Sequence, residues 1–143
     1  MPAELDDKTY AEIIRLTDEG QALFDAGKLD EARKLFMQAW MLIPEPQSEW
    51  EATTWLAAAI GDIDFLKGRY ADARQTLQFA MICPGGLGNP FLHLRLGQSQ
   101  YELGEFDRAA DELMRAYMGA GEDIFADQDP KYRAFLATRA KLD

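Results

Sequence analysis

Three observations predict an all-α fold of stacked helical hairpins. The stretch Gly104 to Ala116 has two relatives upstream, at Gly27 to Ala39 and Gly68 to Ala80. In each, the glycine is followed two residues on by an apolar residue (Leu29, Tyr70, Phe106). Then come an alanine (Ala32, Ala73, Ala109), a large apolar residue (Phe36, Leu77, Leu113) and a second alanine (Ala39, Ala80, Ala116). This is the pattern of a turn and the second helix of a hairpin. A further glycine (Gly20, Gly61, Gly97) lies seven residues before each turn glycine. Finally, no alternating β-branched run occurs anywhere, so the period is helical throughout.

The elements follow in order. Lys8 to Ala26 carries Tyr10, Ile13, Ile14, Leu16, Leu23 and Phe24 mostly three, four and seven apart, which gives a helix with one apolar face, ended by Gly27. A second helix is predicted from Leu29 to Ile43, with Asp30 as N-cap and Glu31 against the helix dipole; it stops before Pro44 and Pro46. Ser48, with Glu51 three residues later, reads as a capping box opening a third helix that runs toward Lys67. A fourth covers Tyr70 to Ile82 and ends at Cys83-Pro-Gly-Gly-Leu-Gly88, a run of helix breakers expected to be the longest flexible joint. Asn89 caps a fifth helix with Pro90 at its first position, running to Leu103. The sixth spans Phe106 to Met118 and breaks at Gly119-Ala-Gly121, and a last helix is expected from Pro130 to Leu142.

Composition bounds the function. The chain has 143 residues, 48% hydrophobic and 28% charged, which fits one domain with a real core. A net charge of −10 argues against nucleic-acid backbones and anionic membrane surfaces, which need clustered Lys and Arg, and favours a basic partner or plain solubility. The lone Cys83 forms no internal disulfide, and the N-terminus has neither a basic nor an apolar signal segment, so a cytoplasmic location is expected.

With these residues in view the chain resembles the tetratricopeptide repeat (TPR) family. The resemblance covers Ile13 to Gly121 and rests on Gly20, Gly61 and Gly97, the turn glycines, and the paired alanines. It departs at the motif's tryptophan position, which reads Leu16, Ala57 and His93, and at its terminal proline, present as Pro44, shifted to Pro84, and absent from the third copy. The resemblance implies a right-handed α-solenoid of three hairpins plus a C-terminal capping helix. The implied layout is a single domain over 1–143, with repeats at about 13–46, 54–87 and 90–121 and a cap at about 130–142.

In this family the first helices line a concave groove. Carried over by motif position, the candidate groove residues are Asp18, Gln21, Asp25, Trp55, Asp62, Phe91, Arg95, Gln98 and Glu102, with Ile14, Thr17, Ala58, Ala59 and Leu94 beside them. Phe91, Arg95, Gln98 and Glu102 are expected to share one exposed face. Phe24, Phe65 and Tyr101 form an aromatic row expected to pack partly into the core. One variant of the family grips a C-terminal carboxylate with Lys, Asn and Arg; only Arg95 matches, the other positions holding Ile14, Asp18, Ala59 and Phe91, so that use is not expected.

Catalysis finds no support in the residues. His93 falls at a packing position, and Cys83 has no partner signature. The 83–88 loop lacks the Lys-Ser/Thr of a phosphate loop, and Asp123, Asp127 and Asp129 lack the glycine and closing glutamate of a calcium loop. No cofactor or metal is therefore expected. Met37, Met41, Met81, Met114 and Met118 are read as core. Trp50 either staples its loop or reaches a partner.

The resulting expectation is a non-enzymatic protein-interaction module with an acidic, aromatic-lined groove for a basic and apolar peptide or protein segment. Small bacterial secretion chaperones and repeat proteins encoded beside toxins are the resemblances within the family. The alternatives are a self-assembling array, homodimer included, and an immunity-type protein masking a basic toxin.

Overall fold

The computed structural model describes residues 5–142. Among these residues seven α-helices form the array: α1 (Asp7–Asp25), α2 (Leu29–Met41), α3 (Glu51–Leu66), α4 (Tyr70–Ala80), α5 (Pro90–Glu102), α6 (Phe106–Ala120) and α7 (Pro130–Arg139). Short 3-10 turns at Gln47–Glu49 and Glu122–Phe125 precede α3 and α7. No strand occurs among the described residues. Helices α1 and α2, α3 and α4, and α5 and α6 pair as hairpins, and each hairpin packs on the next through α2 against α3 and α4 against α5.

The repeated motif has a direct steric cause. A Cβ placed on Gly20, Gly61 or Gly97 would lie 2.8 Å from Phe36, 2.7 Å from Leu77 and 2.9 Å from Leu113 respectively. The first helix of each hairpin therefore approaches its partner too closely for any side chain at that point, and the large residue of the second helix fills the notch. The six motif alanines are fully buried, as are Phe36, Leu77 and Leu113. The turn glycines Gly27, Gly68 and Gly104 adopt φ of +80°, +76° and +80°, which reverses the chain at no Cβ cost.

Two predicted caps are corrected. Asp30 is not the N-cap of α2: the helix begins at Leu29, after Lys28, and no side chain caps it. The tight glycine turn pulls the helix start forward, and Asp30 instead pairs with Lys67 (3.4 Å) and Arg69 (3.0 Å) of the next hairpin. Ser48 does not cap α3 either, because it lies inside the 3-10 turn and the helix opens at Glu51 after Trp50. Thr53 performs the anchoring there, its hydroxyl donating to the Gln47 carbonyl at 2.5 Å. Helices α2 and α4 end two residues earlier than predicted, and α6 runs two further, to Ala120. The cap at Asn89 holds, its side chain accepting from backbone N–H groups of α5, and the structure adds Asp129, which caps α7 in the same way.

Between hairpins the chain uses ion pairs. The fully buried Asp64 carboxylate accepts two bonds from Arg33 (2.9 and 3.1 Å) and one from Arg69 (2.9 Å), joining α2, α3 and the second turn. Arg74 and Glu105 make the corresponding link between the second and third hairpins.

The 83–88 loop is not the free joint that its glycines suggest. Thr54 donates to the Pro84 carbonyl (2.7 Å), and the Gly88 N–H donates to His93 Nε2 (2.8 Å). That second bond fixes the imidazole tautomer: the ring proton sits on Nδ1 and points to Glu112, 2.5 Å away. His93 is thus a buried strut between loop and α6. Trp50 likewise staples its loop, donating from Nε1 to the Pro44 carbonyl at 2.9 Å. The reading of the methionines as core fails for Met37, Met41 and Met118, which are exposed because the buried stripe of each second helix is already filled by the alanines and the large residue.

Candidate binding groove

Helices α1, α3 and α5 supply the inner face, and the structure divides it into an open half and a closed half. Between α1 and α3 lies an open cavity of about 460 Å³ lined by Tyr10, Ile13, Ile14, Thr17, Glu51, Ala52, Trp55 and Leu56. Ile13 and Leu56 form its floor and are buried, whereas Tyr10, Ile14 and Trp55 are exposed. The Trp55 ring stands edge-on to Phe36 at 5.7 Å, so one side of the indole is held by the core while 44% of the residue faces solvent. Asp18, Gln21 and Asp25 are exposed along α1, Gln21 donating to Asp25 at 2.9 Å.

The third hairpin behaves differently. Arg95 and Gln98, expected on an exposed face, are buried, and Leu94 with them. The cause is the chain's own C-terminal segment, which lies over α5. Gln128 projects its amide oxygen between two donors, accepting from Arg95 Nη1 (2.7 Å) and Gln98 Nε2 (2.8 Å). Arg95 also donates to Asp62 (2.8 Å) and to the Gln98 oxygen (2.8 Å), and its guanidinium stacks on Phe65 (4.7 Å) and Phe91 (5.3 Å). Asp62 is therefore an internal counter-ion, not a free groove acid. Glu102 accepts from the Tyr132 hydroxyl (2.7 Å) and pairs with Lys131 (2.5 Å). Of the nine candidates, Asp18, Gln21, Asp25, Trp55 and Phe91 remain exposed, while Asp62, Arg95, Gln98 and Glu102 are tied into the chain itself.

The aromatic row is divided along the same line. Phe24 packs on the first core cluster, Phe65 lies between the second and third, and Tyr101 joins Phe106, Tyr132 and Phe135 at ring separations of 5.1–5.4 Å. Burial, and then the Glu102 carboxylate that accepts its proton, push the Tyr132 phenol well above its ordinary value. The bond to Glu102 also raises the Lys131 ammonium. A polar pocket of about 350 Å³ survives between Tyr70, Arg95, Asp127 and Lys131.

Sequence reasoning missed Tyr10, Gln128, Lys131 and Tyr132. Tyr10 precedes the first motif match, and the others lie in or after a loop whose path no periodicity encodes. No described helix is long and apolar enough to cross a membrane.

Neither a family model nor a curated protein matches the chain. Solved structures do. The Yersinia enterocolitica type III secretion chaperone SycD, in complex with a peptide of the translocator YopD, is 16% identical with a TM-score of 0.69, over 95% of each chain. PcrH from Pseudomonas aeruginosa is 21% identical with a TM-score of 0.65, over 94% of this chain and 89% of its own. The second TPR domain of human RPAP3, in complex with an HSP70 peptide, is 15% identical with a TM-score of 0.68, over 93% and 99%. Three glycine-turned hairpins, the notched glycines beneath Phe36, Leu77 and Leu113, and this near full-length superposition together establish that the chain has the tetratricopeptide repeat fold.

Proposed function

We propose that the chain is a non-enzymatic binding module that takes an apolar peptide or protein segment into the open half of its inner face. The observation that carries this reading is the cavity between α1 and α3, where Tyr10, Ile14 and Trp55 are held exposed on a rigid, buried floor. A half-fixed tryptophan beside a concave apolar wall is the usual form of an interaction anchor. Asp18 and Asp25 stand along the same helix, which suits a ligand with basic residues flanking its apolar ones. SycD and the RPAP3 domain, which share the fold, were both solved with peptides, and that supports the class of ligand. A carboxylate-clamp use is disfavoured, since Arg95, the one matching cation, is engaged by Asp62 and Gln128. Immunity-type masking of a basic toxin remains the second form of the same reading, and the acidic net charge favours it.

The test is a peptide array scanned for binders, followed by nuclear magnetic resonance mapping of the best binder. Shifts confined to Ile14, Thr17 and the Trp55 indole, and at least about tenfold weaker binding by Trp55→Ala with its helical circular dichroism retained at the binding temperature, are the expected result. Shifts that fall elsewhere, with Trp55→Ala binding as well as wild type, overturn it.

A further inference from the structure

The two seams between consecutive hairpins are built from the same motif positions with different chemistry. Six residues after one turn glycine stand Arg33 and Arg74, four before the next stand Asp64 and Gln100, and one after it stand Arg69 and Glu105. In the first seam two guanidinium groups give three hydrogen bonds to the buried Asp64 carboxylate, and both its oxygens are engaged. In the second, Glu105 takes the place of the second arginine and engages Arg74 through one oxygen. The other Glu105 oxygen and the Gln100 amide oxygen are buried without a hydrogen-bond partner. Gln100 is 3% exposed, so its amide has left water without a replacement.

Gln100 lies at the floor of a cavity of about 450 Å³ between the second helices α4 and α6. Leu96 and the half-buried Met81 supply its apolar wall, and α6 borders it with Asp107, Asp111 and Glu112 against one cation, Arg108. Asp107 and Asp111 have arginine partners, Arg139 (2.7 Å) and Arg115 (3.2 Å). Glu112 has none among the described residues: its side-chain partner is the Nδ1–H of His93, whose other nitrogen accepts from Gly88. The Glu112 side chain is 18% exposed, so a carboxylate with no cation stands half-buried on the same cavity as the unpaired amide.

We propose that this cavity binds a guanidinium on an alkyl stem, the side-chain end of an arginine in a protein partner. The first seam shows what satisfies the motif position of Gln100, since two arginines serve Asp64 there. A guanidinium presents several N–H donors in one plane and is weakly hydrated, so it serves Gln100 and Glu112 together; a compact, strongly hydrated ammonium suits two separate acceptors less well. The methylenes of the stem rest on Met81 and Leu96. The net charge of −10 draws a cationic partner in. The site shares no residue with the α1–α3 cavity.

Nuclear magnetic resonance titration of the full chain with N-acetyl-arginine methylamide, at constant ionic strength, tests the assignment. The expected result is saturable shifts of the Gln100 side-chain amide and the Met81 methyl group, with none at Ile14 or the Trp55 indole. The citrulline analogue has the same shape and no charge, and should bind at least about tenfold more weakly. Glu112→Gln keeps an acceptor for His93 and removes the charge, and Gln100→Met removes the unpaired oxygen at nearly the same length. Each should weaken the arginine probe by at least about tenfold with helical circular dichroism retained. Free arginine brings its own carboxylate to the Asp107 and Asp111 rim and should bind more weakly than the capped form. Tighter binding of free arginine gives the site to the amino acid and overturns the protein partner. Equal binding of the citrulline analogue, shifts that fall on the α1–α3 cavity, or two folded variants that bind as the parent does each overturn the proposal. So does the absence of any shift up to about 50 mM probe, which leaves the seam to water.

Discussion

The first and third hairpins carry the same motif, yet equivalent positions on their inner faces have opposite fates. Nine residues before the turn glycine, Asp18 of α1 is exposed and Arg95 of α5 is buried. Six residues before it, Gln21 is exposed, Asp62 in the middle hairpin is half-buried, and Gln98 is completely buried. Thirteen residues before it, Ile14, Trp55 and Phe91 all stay exposed. The motif thus sets which way a side chain points, and the following segment decides whether that direction ends in water. For the third hairpin that segment is α7 with its preceding loop, and Gln128 takes up the side-chain donors of Arg95 and Gln98.

This contrast can be broken or sharpened by mutation. The largest effect is expected where both hairpins are alike: Ala109→Glu forces an unpaired carboxylate into a fully buried contact and should unfold the chain, at a cost of about 3–5 kcal/mol. A normal thermal melt of that variant contradicts the packing described. Next, Arg95→Ala strands Asp62, Gln98 and Gln128 and should cost about 3 kcal/mol. Asp18→Ala, at the same motif position in the open half, should stay within about 0.5 kcal/mol. Equal losses in urea unfolding for the two would erase the distinction between the halves.

Charge reversal sharpens it further. As candidate groove acids, Asp18, Asp62 and Glu102 would all accept charge reversal without loss of stability. The structure restricts that expectation to Asp18, since Asp62 and Glu102 pair with Arg95 and Lys131. Asp62→Lys should therefore lower the melting temperature, and Asp18→Lys should not.

The smallest effect concerns pH. The Tyr132 phenol is raised in the folded chain, so its contribution is complete below the ordinary tyrosine value of about 10 and is lost as pH rises above it. Alkaline titration should loosen the α7 contact before the first two hairpins. Tyr132→Phe should flatten that alkaline slope, read by hydrogen exchange in α5 and α7. An identical slope in the variant removes Tyr132 as its source.

Much of this architecture was legible because its signals are local. The turn glycines, the alanine spacing and the notched glycines each answer a constraint within one hairpin, so the seven helices and their pairing could be read from residues alone. Caps were less legible: Asp30 and Ser48 have the right chemistry for capping, but tight turns and a 3-10 segment displaced the helix starts, and Asp30 found cations thirty-seven and thirty-nine residues away. The exposure of the candidate groove residues was not legible, because it depends on a segment thirty or more residues away.

The sequence by itself determined the helical period and the three hairpins, because these follow from contacts between residues close along the chain. Only the tertiary structure decided which part of the first helices stays open, since the closure depends on Gln128 reaching Arg95 and Gln98 from thirty-three and thirty residues away. It also decided that Met37, Met41 and Met118 stand outside the core, because the alanines and the large residue already fill the buried stripe of each second helix.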